Sequence, residues 1–127
     1  MGLYLIDTNI ISDYLSAHLP PSGMMIMDLI VDDGIILSVI TQIELLCWNT
    51  DEATEQLVKS FIGDSNILGI SPAIIAQCVA IRKGKKVKTP DAIIASTALA
   101  NDLTLVTNNE KDFVGIDGLR LLNPYKS

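Results

Sequence analysis

Short apolar runs alternate along this chain with longer segments of helical spacing. The runs "LYLI" (3–6), "IILSVI" (35–40), "NILGI" (66–70), "LTLVT" (103–107) and "LRLL" (119–122) read as strands. They are short, rich in branched residues and apolar on both faces. Between them, "NIISDYLSA", "GMMIMDLIVDDG", "TQIELLCWN", "DEATEQLVKSFI", "PAIIAQCVAIRKG" and "PDAIIASTALAND" read as helices. "HLPPSG" (18–23) reads as the one clear loop. Fully apolar strands separated by helices predict a parallel sheet covered on both faces, a three-layer α/β/α sandwich.

Polar residues gather where such a sheet places a site. Open parallel sheets bind ligands beyond the carboxyl ends of their strands. Asp7 follows the first run, Glu44 comes shortly after the second, and Asn108 and Asn109 follow the fourth. Each acid also has an ordinary local explanation. Asp7 suits a helix N-cap. "TQIE" (41–44) and "TNNE" (107–110) match capping boxes. Thr89 as N-cap, Pro90 at the first helical position and Asp91 in the first turn make a regular helix start. Apolar neighbours favour more. Glu44 lies among Ile43, Leu45 and Leu46, and Asp91 precedes Ala92-Ile93-Ile94-Ala95. Carboxylates there are costly unless paired or bound to a cation. An oxygen-only ligand set suits Mg2+ or Mn2+ and phosphodiester hydrolysis.

The length of 127 residues fits one domain over 1–127 with a sizeable core. The chain is 49% hydrophobic with a mean hydropathy of +0.39, rich enough to suggest a partner that covers apolar surface. No run approaches the ~18 to 20 apolar residues of a membrane span. The N-terminus lacks a signal-peptide pattern, so a cytoplasmic location is expected. Cys47 and Cys78 form no metal or disulfide framework and read as buried free thiols. Tyr14 and Trp48 read as core or dimer contacts, and the "MMIM" methionines as core filling or a pliant groove.

Net charge is −6 and the pI about 4.5. Five of the nine basic residues nevertheless sit in "RKGKKVK" (82–88), immediately before Asp91. They fit either a solvated helix end or a handle for nucleic-acid phosphates.

The ordered blocks "LIDTNIISDYL", "LSVITQIELLCW" and "KTPDAIIASTALANDLTLVTNNEKDF" resemble the PIN-domain ribonucleases, most of all the VapC-type toxins of toxin–antitoxin pairs. The resemblance spans essentially the whole chain. It implies an α/β/α fold and a Mg2+- or Mn2+-dependent endoribonuclease acting on tRNA or rRNA. It also implies a small antitoxin partner, a homodimer and no membrane. Asp7, Glu44 and Asp91 match the family's metal-binding acids. Many members carry a fourth acid where this chain has Asn109, and Asp112 lies three residues further on. Asp112 is therefore a candidate catalytic residue with the other three. Thr8, Thr107, Asn109, Lys86 and Lys88 match supporting or substrate-binding positions. A catalytically silent PIN module that binds RNA or protein is the alternative. A haloacid-dehalogenase-type phosphatase is disfavoured, because Asn9 stands where that chemistry wants a second acid.

Overall fold

The computed structural model describes residues 3–126; Met1, Gly2 and Ser127, at the ends of the domain expected over 1–127, lie outside the described residues. Five strands form one sheet: β1 (Tyr4–Ile6), β2 (Ile35–Ser38), β3 (Ser65–Leu68), β4 (Thr104–Val106) and β5 (Leu121–Leu122). Their order is β3-β2-β1-β4-β5, and every pairing is parallel. Seven α-helices are described: α1 (Thr8–Leu15), α2 (Pro21–Asp33), α3 (Val39–Leu46), α4 (Glu52–Gly63), α5 (Pro72–Gly84), α6 (Thr89–Ala100) and α7 (Glu110–Phe113). The expected three-layer α/β/α architecture is present.

Strand alternation divides the core in two. Leu5 and Leu105 point to one face and join Ile81, Ile94, Ala95, Ala98 and Phe113 from α5, α6 and α7. Ile6 and Val106, one residue on, point to the other face. They meet Ile10, Met27, Leu45 and Phe61 from α1 to α4. The period of two puts successive residues of one strand into opposite layers, which is why these runs carry no polar face.

Chain order places the crevice. From β1 the chain moves outward through β2 to β3, then returns to the other side of β1 to form β4. The carboxyl ends of β1 and β4 therefore flank a topological switch point, where parallel sheets open toward ligands. The register pairs Ile6 with Val106, so Asp7 and Thr107 leave the sheet side by side.

Several local expectations change. "IILSVI" is strand only to Ser38, whose hydroxyl accepts from the Ile40 amide (3.1 Å) and starts α3 at Val39. A serine cap here outweighs the strand preference of Val39 and Ile40. Thr41 is thus inside α3, and the capping box at 41–44 does not form. Thr89 is the first residue of α6, with Lys88 in the N-cap position and no side-chain cap. Asn109 precedes the short α7, which replaces the capping box at 107–110. The "HLPPSG" loop ends early, because α2 already starts at Pro21. Cys78 is buried as expected, but Cys47 is exposed at the end of α3. Met27 is core while Met25 is largely exposed. Tyr14 is half-buried and donates to Asp28 (2.5 Å), tying α1 to α2.

Gly23 offers a test of this packing. It is buried within α2, and a Cβ there would lie 2.5 Å from the Pro124 carbonyl oxygen. A glycine-to-alanine change inside a helix ordinarily stabilises by roughly 0.5–1 kcal/mol. Here overpacking reverses the sign. Gly23→Ala should lower the melting temperature by several degrees, at a cost of about 1–3 kcal/mol. An unchanged or higher melting temperature would contradict the contact between α2 and the C-terminal turn.

Candidate active site

Asp7 is the first residue after β1 and the N-cap of α1. Its side chain is 7% exposed. One carboxylate oxygen accepts from the Thr8 amide (2.9 Å), and the other accepts from the Thr107 hydroxyl (2.8 Å). Its backbone amide continues the sheet by donating to the Val106 carbonyl (2.9 Å). The capping and site readings of Asp7 therefore hold together: the cap fixes the carboxylate's direction. Thr107 is fully buried and in turn accepts from the Asn109 amide (3.0 Å).

The other acids surround this point from separate elements. Glu44 projects from α3 and accepts from the Thr8 hydroxyl (2.5 Å), which also lies 3.2 Å from the Thr41 hydroxyl. Asp91 is half-buried in the first turn of α6. Asp112, on α7, accepts from the Asn109 side-chain amide (2.8 Å). Burial pushes the Asp7 carboxyl above the ordinary aspartate range. The Thr107 and Thr8 hydrogen bonds oppose that rise, while Asp91 and Glu44 add to it by repulsion. Burial likewise raises Asp91, followed by repulsion from Asp112 and Glu44, with Lys88 acting in the opposite direction. The four acids thus share one electrostatic neighbourhood. Lys88 joins them through α6, whereas Lys86 belongs to an open basic cavity lined by Arg82, Lys83, Lys85 and Lys86.

The donor set suits a hard divalent cation in part. All the acids supply oxygen, and their mutual repulsion is the feature a cation relieves. Among the described residues, no three acidic, histidine or cysteine side chains converge into a ready-made cage. Three of the four side chains are instead held by neighbours, Asp7 by Thr107 and the Thr8 amide, Glu44 by Thr8 and Asp112 by Asn109. Mg2+ does not need a full protein cage, because it commonly takes one or two carboxylates, waters and substrate phosphate.

Thr41 is a contributor that the sequence pattern concealed. It is fully buried behind Thr8 and Glu44, yet "TQIE" reads as a cap. A buried threonine inside one helix, facing the first residue of another, carries no local signal.

Four acids from four different helices or helix starts lie near the switch point of a parallel sheet and repel one another, an acid-centred site on an α/β/α fold. The chain belongs to the PIN domain family, whose model matches residues 4–119. Solved structures agree. A chain of a toxin–antitoxin complex from Klebsiella pneumoniae is 33% identical, with a TM-score of 0.72, covering 98% of this chain and 99% of that one. VapBC2 from Rickettsia felis, bound to a DNA fragment from its promoter, is 28% identical with a TM-score of 0.76 over 94% and 97%. DNA-bound VapBC from Salmonella typhimurium, at 24% identity and a TM-score of 0.79 over 98% and 99%, shows the shared fold. No curated protein sequence matches the chain.

A buried, repelled carboxylate should cost stability. The folded-state value of Asp7 lies above that of the unfolded chain, so its contribution is present at low pH and lost as pH rises through the folded value. Asp7→Asn should therefore melt a few degrees above the parent in metal-free buffer at neutral pH, with the gain shrinking toward acid. A lower melting temperature at neutral pH would show that the two hydrogen bonds to Asp7 outweigh its burial.

Proposed function

We propose that this chain is a Mg2+- or Mn2+-dependent endoribonuclease and the toxin of a VapC-type toxin–antitoxin pair, acting in the cytoplasm. One observation carries the reading. Asp7 is buried at the switch point, held by Thr107 and the Thr8 amide, and faces Asp91 and Glu44. A purely structural cap has no need of two further carboxylates beside it. Similarity to the Klebsiella pneumoniae complex supports the toxin assignment.

Asp7, Glu44 and Asp91 would hold the cation, with Asp112 as the fourth acid. A bound divalent metal supplies Lewis acidity toward a phosphodiester oxygen and lowers the pKa of a bound water. The chain's own residues orient and attract. Thr107 and the Thr8 amide fix both oxygens of Asp7. Asn109 donates to Asp112, so the neutral residue in the fourth family position aims the carboxylate three residues on. Lys86 and Lys88 contribute positive charge toward flanking phosphates, which position RNA without reading its sequence. Protein partners, an antitoxin and a second copy, are supported by apolar side chains left uncovered on α3 (Ile43, Leu46), α4 (Leu57) and α5 (Ile75, Val79).

The absence of a converged cage among the described residues favours a second reading, a PIN module that binds RNA or protein without cutting. Metal-dependent fragments from a panel of labelled tRNA and rRNA substrates separate the two. Asp7→Asn or Asp91→Asn should reduce cleavage more than ~100-fold and remove growth inhibition, while circular dichroism stays native. Cleavage at the parental rate by the double variant would overturn the assignment. Thr107→Val keeps the shape but removes the hydroxyl that orients Asp7. It should lower activity by about 10- to 100-fold, with the fold retained.

A further inference from the structure

A cavity adjoins the acidic cluster through Glu44. Its volume is about 320 Å³, and Thr8, Asn9, Ser12, Glu44, Cys47 and Trp48 line it. It lies between the first turns of α1 and the end of α3. Thr8 and Glu44 belong to both walls, so whatever enters this cavity lies next to the acids.

The lining defines the chemistry of an occupant. It has one carboxylate and no lysine or arginine, so an isolated phosphate is disfavoured. The basic residues 82–88, whose side chains form no ion pair among the described residues, provide for phosphates elsewhere. What the cavity offers is a half-buried indole, a side-chain amide and small polar groups. Trp48 packs on the α1–α4 core layer, which holds the ring in place. The Asn9 amide and the Trp48 indole N–H make no hydrogen bond among the described residues, whereas the Ser12 hydroxyl is already spent on the Asn9 carbonyl (3.0 Å). An amide supplies both donors and an acceptor to a flat polar edge. The volume sits at the small end of the ~300–1,000 Å³ range of ligand pockets. It holds one planar group and not a helix.

We propose that this cavity receives one unstacked nucleobase adjacent to the scissile phosphate, with Trp48 as the stacking surface and Asn9 as the reader of the base edge. Proteins select single-stranded RNA in this way, by stacking splayed bases on aromatic rings and hydrogen-bonding their edges. The inference rests on the endoribonuclease reading for its biological context, but its test does not require cleavage. It also gives the chain a source of base preference that its sparse aromatic content otherwise denies it. Only 5% of its residues are aromatic, and one is tryptophan.

Two reporters are built in. Trp48 is the sole tryptophan, so fluorescence excited at the red edge, where tyrosine does not absorb, reports this cavity alone. Cys47 is an exposed thiol in its wall, while Cys78 is buried, so alkylation at Cys47 reads occupancy independently. The full chain is titrated with the four nucleoside 5′-monophosphates and with ribose 5-phosphate as the base-free control. Expected are quenching of Trp48 and slower Cys47 alkylation by the nucleotides, unequal among the four bases, with no response to ribose 5-phosphate. Asn9→Ala should weaken the preferred nucleotide about fivefold and flatten the preference, as loss of one neutral hydrogen bond would. Trp48→Ala should weaken binding roughly 5- to 100-fold by the alkylation readout, and Trp48→Phe should restore much of it. Equal responses to ribose 5-phosphate, or none to any nucleotide while RNA is still cut, would overturn the base cavity and leave the nuclease reading standing. Base-dependent quenching without RNA cleavage would keep the cavity and remove the nuclease. A response to neither, with no cleavage, would remove both.

Discussion

The arrangement depends on one expensive placement, the carboxylate of Asp7 at the point where two central strands end. Burial alone disfavours its charge, and Asp91 and Glu44 disfavour it further. The fold tolerates it because two donors meet its two oxygens. One is the first amide of α1 and the other is the Thr107 hydroxyl, on the residue that follows β4. Both donors follow from the strand register, which sets residue 107 beside residue 7. A shift of one position in that pairing would turn Thr107 toward a core layer and leave Asp7 with one partner. The sheet topology and the site are thus the same constraint seen at two scales.

Charge is segregated around that point. Outside residues 82–88, four basic residues stand against all fifteen acidic ones. Three of those four, Lys59, Arg120 and Lys126, are engaged in ion pairs with Glu55, Asp102 and Glu110. The cations before α6 form no such pairs among the described residues and lead through Lys88 to Asp91. A polyanion is therefore attracted at one place and repelled over most of the remaining surface. An acidic protein can handle RNA on these terms, provided that a cation lowers the repulsion at the centre itself.

Much of this was legible in the sequence. Apolar runs of four to six residues separated by helical spacing indicate the parallel sheet, and the acids that follow strands indicate the edge where the carboxylates collect. What stayed hidden depends on contacts between distant residues. Thr41 looks like a helix cap, yet it sits inside α3, because Ser38 caps first and ends β2 earlier than its branched residues suggest. Thr107 reads as a capping residue of the next helix, while its proton goes to a carboxylate one hundred positions away. Asn109 and Asp112, read as alternatives for the fourth position, are joined by a hydrogen bond in which the amide of one holds the carboxylate of the other. Cys47 was expected in the core because thiols are usually buried, but the end of α3 leaves it in solvent beside Glu44. Spacing along one helix cannot reveal which neighbour a side chain meets across the sheet.

On the proposed reading, Asp7 is buried for a cation and not for the helix it caps. Calorimetric titration of Mn2+ into the parent chain and into Asp7→Asn, both verified as folded, tests it most directly. Saturable binding to the parent and its loss in the variant are expected. Equal binding by both proteins, or none by the parent, would contradict it.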